Sequence, residues 1–150
     1  MTTGEICTHN VVVTREDENL VDAAKRMRMF HVGDLVVVHN QGDRRVPVGI
    51  LTDRDIVLSA VASEAAHIHS LLVRDVMSSE IVTARDHESL MDALKKMQAH
   101  GVRRLPIIND DGALVGILAL DDVVRAVSEE LGALVSCMVT EHQHEQRYRV

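Results

Sequence analysis

Two segments of the chain place carboxylates directly after an apolar run, Gly49-Ile-Leu-Thr52-Asp53-Arg54-Asp55 and Gly116-Ile-Leu-Ala119-Leu-Asp121-Asp122. A backbone turning from strand into helix after Gly49 presents free N–H groups and the positive end of the helix dipole, which together favour a phosphate. Thr52 adds a hydroxyl to that cradle. Asp55 falls in the first helical turn, where a carboxylate accepting two hydrogen bonds would hold the paired hydroxyls of a ribose. The competing reading is local, with Thr52 or Asp53 simply capping the helix. In the second segment Ala119 stands where the first has Thr52, so the hydroxyl is missing, while Asp121 and Asp122 keep the carboxylates. Arg103 and Arg104 compensate as planar, always-charged anion donors. Their bland alternative is a solvated basic pair.

Other chemistry is thin. Cys7 and His9, His67 and His69, and His142 and His144 are each two apart. No pair supplies the third and fourth ligands of a closed zinc site in sequence, so solvated surface is the expectation. The motifs H-E-x-x-H and G-x-S-x-G and the Walker-type glycine loop are absent, and no enzyme is expected. A net charge of -7 argues against nucleic acid as a main partner, because phosphate-backbone affinity needs clustered Lys and Arg. No apolar run reaches the roughly 18 residues of a spanning helix, and MTTGEICTHN lacks a charged and apolar leader. No membrane association and a cytoplasmic location are therefore expected, with Cys7 and Cys137 as reduced thiols.

The elements that position these residues are written twice. Positions 82–102 lie over 12–32 with identities at Val12, Arg15, Glu18, Leu20, Asp22, Ala23, Lys25, Met27 and Val32. Positions 115–124 lie over 48–57, VGILALDDVV over VGILTDRDIV. The three-residue change in offset falls between Val38 and Val48, where loop-length variation is expected. A β-branched run at Val11 to Val13 precedes a helical stripe of Leu20, Ala23, Ala24 and Met27, with Asn19 as N-cap. Ser89 takes that cap in the second copy, and Gly101 ends the helix in a left-handed conformation. Leu35 to Val38 and Val46 to Leu51 read as a hairpin around Asn40, Gly42 and Asp43. Helix returns over Asp53 to Val61 and over Leu120 to Leu131. The fold class is α/β (α+β), β-α-β-β-α twice, and two copies are too few for a solenoid. In this register Gly33 and Asp34 are the first-copy counterparts of Arg103 and Arg104, and Asp34 would repel phosphate.

This order and these segments resemble the CBS domain, named after cystathionine β-synthase. Val102-Arg-Arg-Leu-Pro106-Ile-Ile-Asn-Asp-Asp-Gly112 is similar to the family's second strand and turn, and Val73-Arg-Asp-Val-Met77-Ser to its lead-in. The resemblance implies a stand-alone pair of modules at 6–62 and 76–131, a connection at 63–75, and a helix end with a polar tail at 132–150. It further implies two clefts, each joining the helix-start carboxylate of one copy to the first strand of the other. One would hold Thr52, Arg54 and Asp55 with Val82, Thr83 and Val102, and Arg103 at its mouth. The other would hold Asp121 and Asp122 with Val12, Val32 and Gly33, and Arg103 and Arg104 over the phosphates. The first, with hydroxyl and carboxylate intact, is the favoured site. The implied ligand is AMP, ADP or ATP, with NAD or S-adenosylmethionine as further members of the adenosyl class. No cofactor is required. A regulated partner protein and a homodimer are also implied, the latter through 20–30, 90–97 and 123–134, where Met27, Met29, Met91 and Met97 lie. The alternative is a structural dimerisation protein with vestigial clefts.

Overall fold

The computed structural model describes residues 1–63 and 67–148. Helix α1 (Thr3–Ile6) leads into strand β1 (Val13–Arg15), helix α2 (Leu20–Phe30), strands β2 (Asp34–Gln41) and β3 (Arg44–Thr52), and helix α3 (Asp53–Ile56). A π-helical turn at Val57–Val61 and a 3-10 turn at Ile68–Ser70 follow. The order then repeats as α4 (Val73–Val76), β4 (Ala84–Arg85), α5 (Leu90–His100), β5 (Arg104–Ile108), β6 (Leu114–Ala119) and α6 (Leu120–Tyr148). Each copy builds its own three-stranded sheet, parallel between the first two strands and antiparallel in the hairpin. Two pseudo-symmetric α+β modules are thus present.

Local signals in the sequence set most of these boundaries. The Asn19 side chain accepts from the Val21 N–H at 2.9 Å, and Ser89 accepts from Asp92 at 3.1 Å. Gly101 closes α5 at φ 63°, and His31 takes the same left-handed place after α2 at φ 54°. The three extra residues of the first copy lengthen its hairpin rather than its loop. A two-residue turn at Gly42 and Asp43 lets the ladder run on through His39–Val46, Asn40–Arg45 and Gln41–Arg44. The first strand starts at Val13, two residues later than the β-branched run begins, because pairing opens at Val13–Val36. Helix α6 does not end before the polar stretch. Neither Gly132 nor any proline breaks it, and its Glu, Gln and Arg residues are good helix formers. Of the connection expected at 63–75, residues 64–66 lie outside the described residues, as do 149–150 of the polar tail.

Each lead-in segment docks on the module it does not precede. Thr8 bridges Ile117 of β6, and the Thr3 and Gly4 N–H groups donate to the Glu88 and Asp86 carbonyls. Ser78 bridges Ile50 of β3, and the Val73 and Arg74 N–H groups donate to Glu18 and Glu16. The cores follow this exchange. Cys7 and Ile6 pack with Leu90, Ala93, Met97, Leu105, Ile107 and Leu118 of the second copy. Val73, Val76 and Met77 pack with Leu20, Ala23, Met27, Leu35, Val37 and Leu51 of the first. Of the four methionines expected at a dimer contact, Met27 and Met97 fill these cores and Met29 and Met91 are exposed.

Close approach of each lead-in to its sheet requires a glycine. A Cβ on Gly49 would lie 2.7 Å from the Ser78 carbonyl oxygen and 3.0 Å from the Met77 sulfur. Gly49→Ala is expected to destabilise the fold by about 1–3 kcal/mol, as overpacking does. Gly132, inside α6 with open space around it, should show the opposite sign. Gly132→Ala should stabilise by roughly 0.5–1 kcal/mol. Urea denaturation of both variants checks the pair, and equal effects would contradict this account of Gly49.

Candidate functional site

The end of β3 and the start of α3 carry the first candidate site. Thr52 and Asp55 form a reciprocal cap: the Thr52 N–H donates to Asp55 Oδ2 at 2.9 Å, and the Asp55 N–H donates to Thr52 Oγ1 at 3.1 Å. The local capping reading is therefore correct, with Thr52 rather than Asp53 as the cap. It does not use up the groups. Asp55 keeps a second carboxylate oxygen and Thr52 a second lone pair, and both residues line a cleft of about 230 Å³. The opposite wall comes from the second copy and its lead-in, with Val82, Val102, Arg103 and Arg104 beside Ser78, Glu80 and Ile81. Ile50 completes the floor. Its lining combines apolar side chains with the Thr52 hydroxyl, the Asp55 and Glu80 carboxylates and two guanidinium groups.

Two residues expected in this cleft stand outside its lining. Arg54 is exposed on α3, away from the slot. Thr83 is half-buried, and its carbonyl accepts from Lys96 Nζ at 3.2 Å while Lys96 pairs with Glu88 at 2.7 Å. The first copy repeats this anchor with Arg26, Glu18 and the Val13 carbonyl. Ile50, Ser78, Glu80 and Ile81 were not foreseen. Ser78 to Ile81 arrive through the exchanged lead-in, and only the quoted lead-in motif ending at Ser78 hinted at that segment.

The second cleft, of about 300 Å³, is the pseudo-symmetric mate. It brings together Val12, Val32, Gly33 and Asp122 as expected, and adds Thr8, Asn10, Val11, His31, Asp34, Ile117 and Ala119. The Asp122 carboxylate accepts from the Ala119 N–H at 3.1 Å, the same cap without the hydroxyl. Asp121 and Arg103 are not in its lining; they face each other at 4.0 Å on the surface, both largely exposed, where an ion pair contributes little. Arg104 lines both clefts. Its Nε lies 2.9 Å from Asp34 Oδ1 in an ion pair that joins the start of β5 to the start of β2. Among the described residues no group of three or more His, Cys, Asp or Glu side chains could hold a metal ion. A further depression lined by Arg15, Asp17, His39 and Arg74 lies at the outer edge of the first sheet, with Arg15 already paired to Asp17 at 3.0 Å.

Burial pushes the Asp34 carboxyl above its ordinary value near 3.8; Arg104 pulls it back and Asp53 adds to the rise. With the folded value raised, the protonated form is the one the fold prefers. Its contribution to stability is full below about pH 3.8 and is lost as pH rises through the raised value. Asp34→Asn removes that dependence. Urea unfolding from about pH 3.5 to 7 should show the wild type losing stability relative to the variant as pH rises. A flat difference would remove Asp34 as the cause.

Comparison with known proteins agrees with this architecture. The family model of the CBS domain matches twice, over residues 4–61 and 73–129. An uncharacterised protein of Methanopyrus kandleri is 33% identical over 122 residues, 81% of this chain; the chain spans 60% of that relative's length. The CBS domain-containing protein YhcV of Bacillus subtilis is 38% identical over 124 residues, 82% of this chain and 84% of that one. The crystal structure of CBSX2 in complex with AMP superposes with a TM-score of 0.71 at 27% identity, covering 85% of this chain and 96% of that one. With both modules matched by one family, the chain belongs to the CBS domain family and carries two of its domains in tandem.

Proposed function

We propose that this chain is a ligand-sensing module that binds an adenine nucleotide in the Thr52–Asp55 cleft and passes the bound state to a partner protein. The observation that carries the reading is the meeting of Thr52 and Asp55 from one module with Val82, Val102, Arg103 and Arg104 from the other around one slot. The carboxylate suits ribose hydroxyls, the apolar wall suits a base, and the guanidinium groups suit phosphate. The AMP bound by CBSX2 supports AMP, ADP or ATP as the ligand. Because the ligand lies between modules, its occupancy bears on how they sit together. A second reading, a dimerisation protein with vestigial clefts, draws on the exposed apolar residues of α6, among them Leu131, Leu134 and Met138.

Calorimetric titration with AMP, ADP, ATP, NAD and S-adenosylmethionine separates the two. Asp55→Ala is expected to weaken nucleotide binding by about 1.5–3 kcal/mol, the loss of a charge-assisted hydrogen bond. The reciprocal cap adds a fold cost of about 1 kcal/mol for the same change. Asp55→Asn keeps an acceptor for the Thr52 N–H and should lose affinity with less loss of stability. Unchanged affinity in folded Asp55→Asn and Asp55→Ala proteins would take this cleft out of the function.

We also propose a homodimer. Val57, Leu58 and Val61 on the π-helical turn and Val124 and Val127 on α6 are exposed apolar residues on equivalent helices of the two copies, and Phe30, Met29 and Met91 extend the set. A symmetric contact would cover such surface on both copies at once. Light scattering at micromolar concentration is expected to return twice the chain mass, with and without nucleotide. A single-chain mass would defeat the dimer.

A further inference from the structure

The two copies have diverged where their clefts approach each other. Gly33 and Asp34 at the start of β2 occupy the places that Arg103 and Arg104 hold at the start of β5. The Thr52–Asp55 cleft is therefore lined by two guanidinium groups against the Asp55 and Glu80 carboxylates, whereas the Ala119–Asp122 cleft is lined by Gly33, the Asp34 and Asp122 carboxylates and one guanidinium group, that of Arg104, a balance more negative by one charge. Arg104 in the second cleft is paired with Asp34, its Nε 2.9 Å from Asp34 Oδ1. Asp34 is 14% exposed in its side chain, so its charge acts in a partly dehydrated place where like charges repel strongly. Ala119 offers no hydroxyl, and the Asp122 carboxylate already accepts from the Ala119 N–H. Apolar walls from Val12, Val32 and Ile117 remain suited to a flat base.

We infer that the second cleft takes a nucleoside whose 5′ substituent is uncharged or cationic, and that Asp34 is the specificity residue that turns phosphate away. This rests on the reading of the first cleft as a nucleotide site. An amine at the 5′ position would donate to Asp34 where a phosphate would meet a second anion. The chain then distinguishes two ligands by charge, one per cleft.

Two probes on the intact protein test this, AMP and 5′-amino-5′-deoxyadenosine. AMP is expected to saturate at one equivalent per chain, and the AMP-saturated protein should still take up one equivalent of the amine. Asp34→Asn should weaken the amine about tenfold, the loss of one charge-assisted hydrogen bond, and should admit AMP as a second event. The wild-type competition needs no variant to fold, and Asp34→Ser serves if Asp34→Asn does not. AMP filling both clefts of the wild type, or no amine uptake by the AMP-saturated protein, overturns the inference and leaves the first cleft's function standing. An amine affinity unchanged in both Asp34 variants also overturns it. Binding of neither probe at any site overturns both readings.

Discussion

Backbone contact between the lead-in at Ser78 and Gly49, and between Thr8 and the strand at Gly116, holds each lead-in on the sheet of the other repeat. Two short three-stranded sheets would each leave an apolar face and a strand edge uncovered. The exchange covers both with the same move. It also sets the clefts, because Ser78 continues into Glu80 and Ile81 along one wall of the first cleft, and Thr8 into Asn10 and Val11 along the second. A side chain at Gly49 or Gly116 would push these walls off their sheets, so packing and ligand geometry share one constraint.

At the helix starts a single arrangement serves two purposes. Four helices, three of them short, begin with an acidic third residue that accepts the N–H of the preceding cap: Glu5 with Thr2, Asp55 with Thr52, Asp75 with Leu72, and Asp122 with Ala119. Glu5 and Asp75 do this where neither cleft is lined, so the motif alone says nothing of ligands. What distinguishes Asp55 and Asp122 is the wall opposite. Function at these positions is therefore a property of how two modules meet, with local helix chemistry as its support.

Much of this was legible in the residues. Repeat identities gave the modules, Asn19, Ser89 and Gly101 marked helix ends, and the family resemblance grouped Thr52 and Asp55 with Val82 and Val102. The exchange of lead-ins was not legible, because it joins Thr8 to Ile117 and no local pattern encodes a contact across that span. The Arg104–Asp34 pair was hidden for the same reason: each residue was read for its own copy, one as a phosphate donor and one as a repellent, while the fold sets them against each other. Arg54 and Asp121 stand outside the two cleft linings because chain proximity to a cleft does not fix which way a side chain in the first turn of a helix points. The length of α6 was underread because its apolar stripe fades after Met138 while helix propensity persists.

The lead-in exchange has a consequence for how the protein is made. As the chain leaves the ribosome, the first core stays incomplete until Ile68, Leu71, Val73, Val76 and Met77 have emerged, since all five pack against it. The N-terminal segment waits longer still. Cys7 has no core to enter until Ile107 and Leu118 are synthesised, and Thr8 has no strand until Ile117 is. Closing such distant contacts carries a loop entropy that neighbouring hairpins do not. Translation thus delivers two half-built modules that complete each other only once β6 has been synthesised, and a nascent chain halted between the repeats would expose the apolar faces that the folded modules hide.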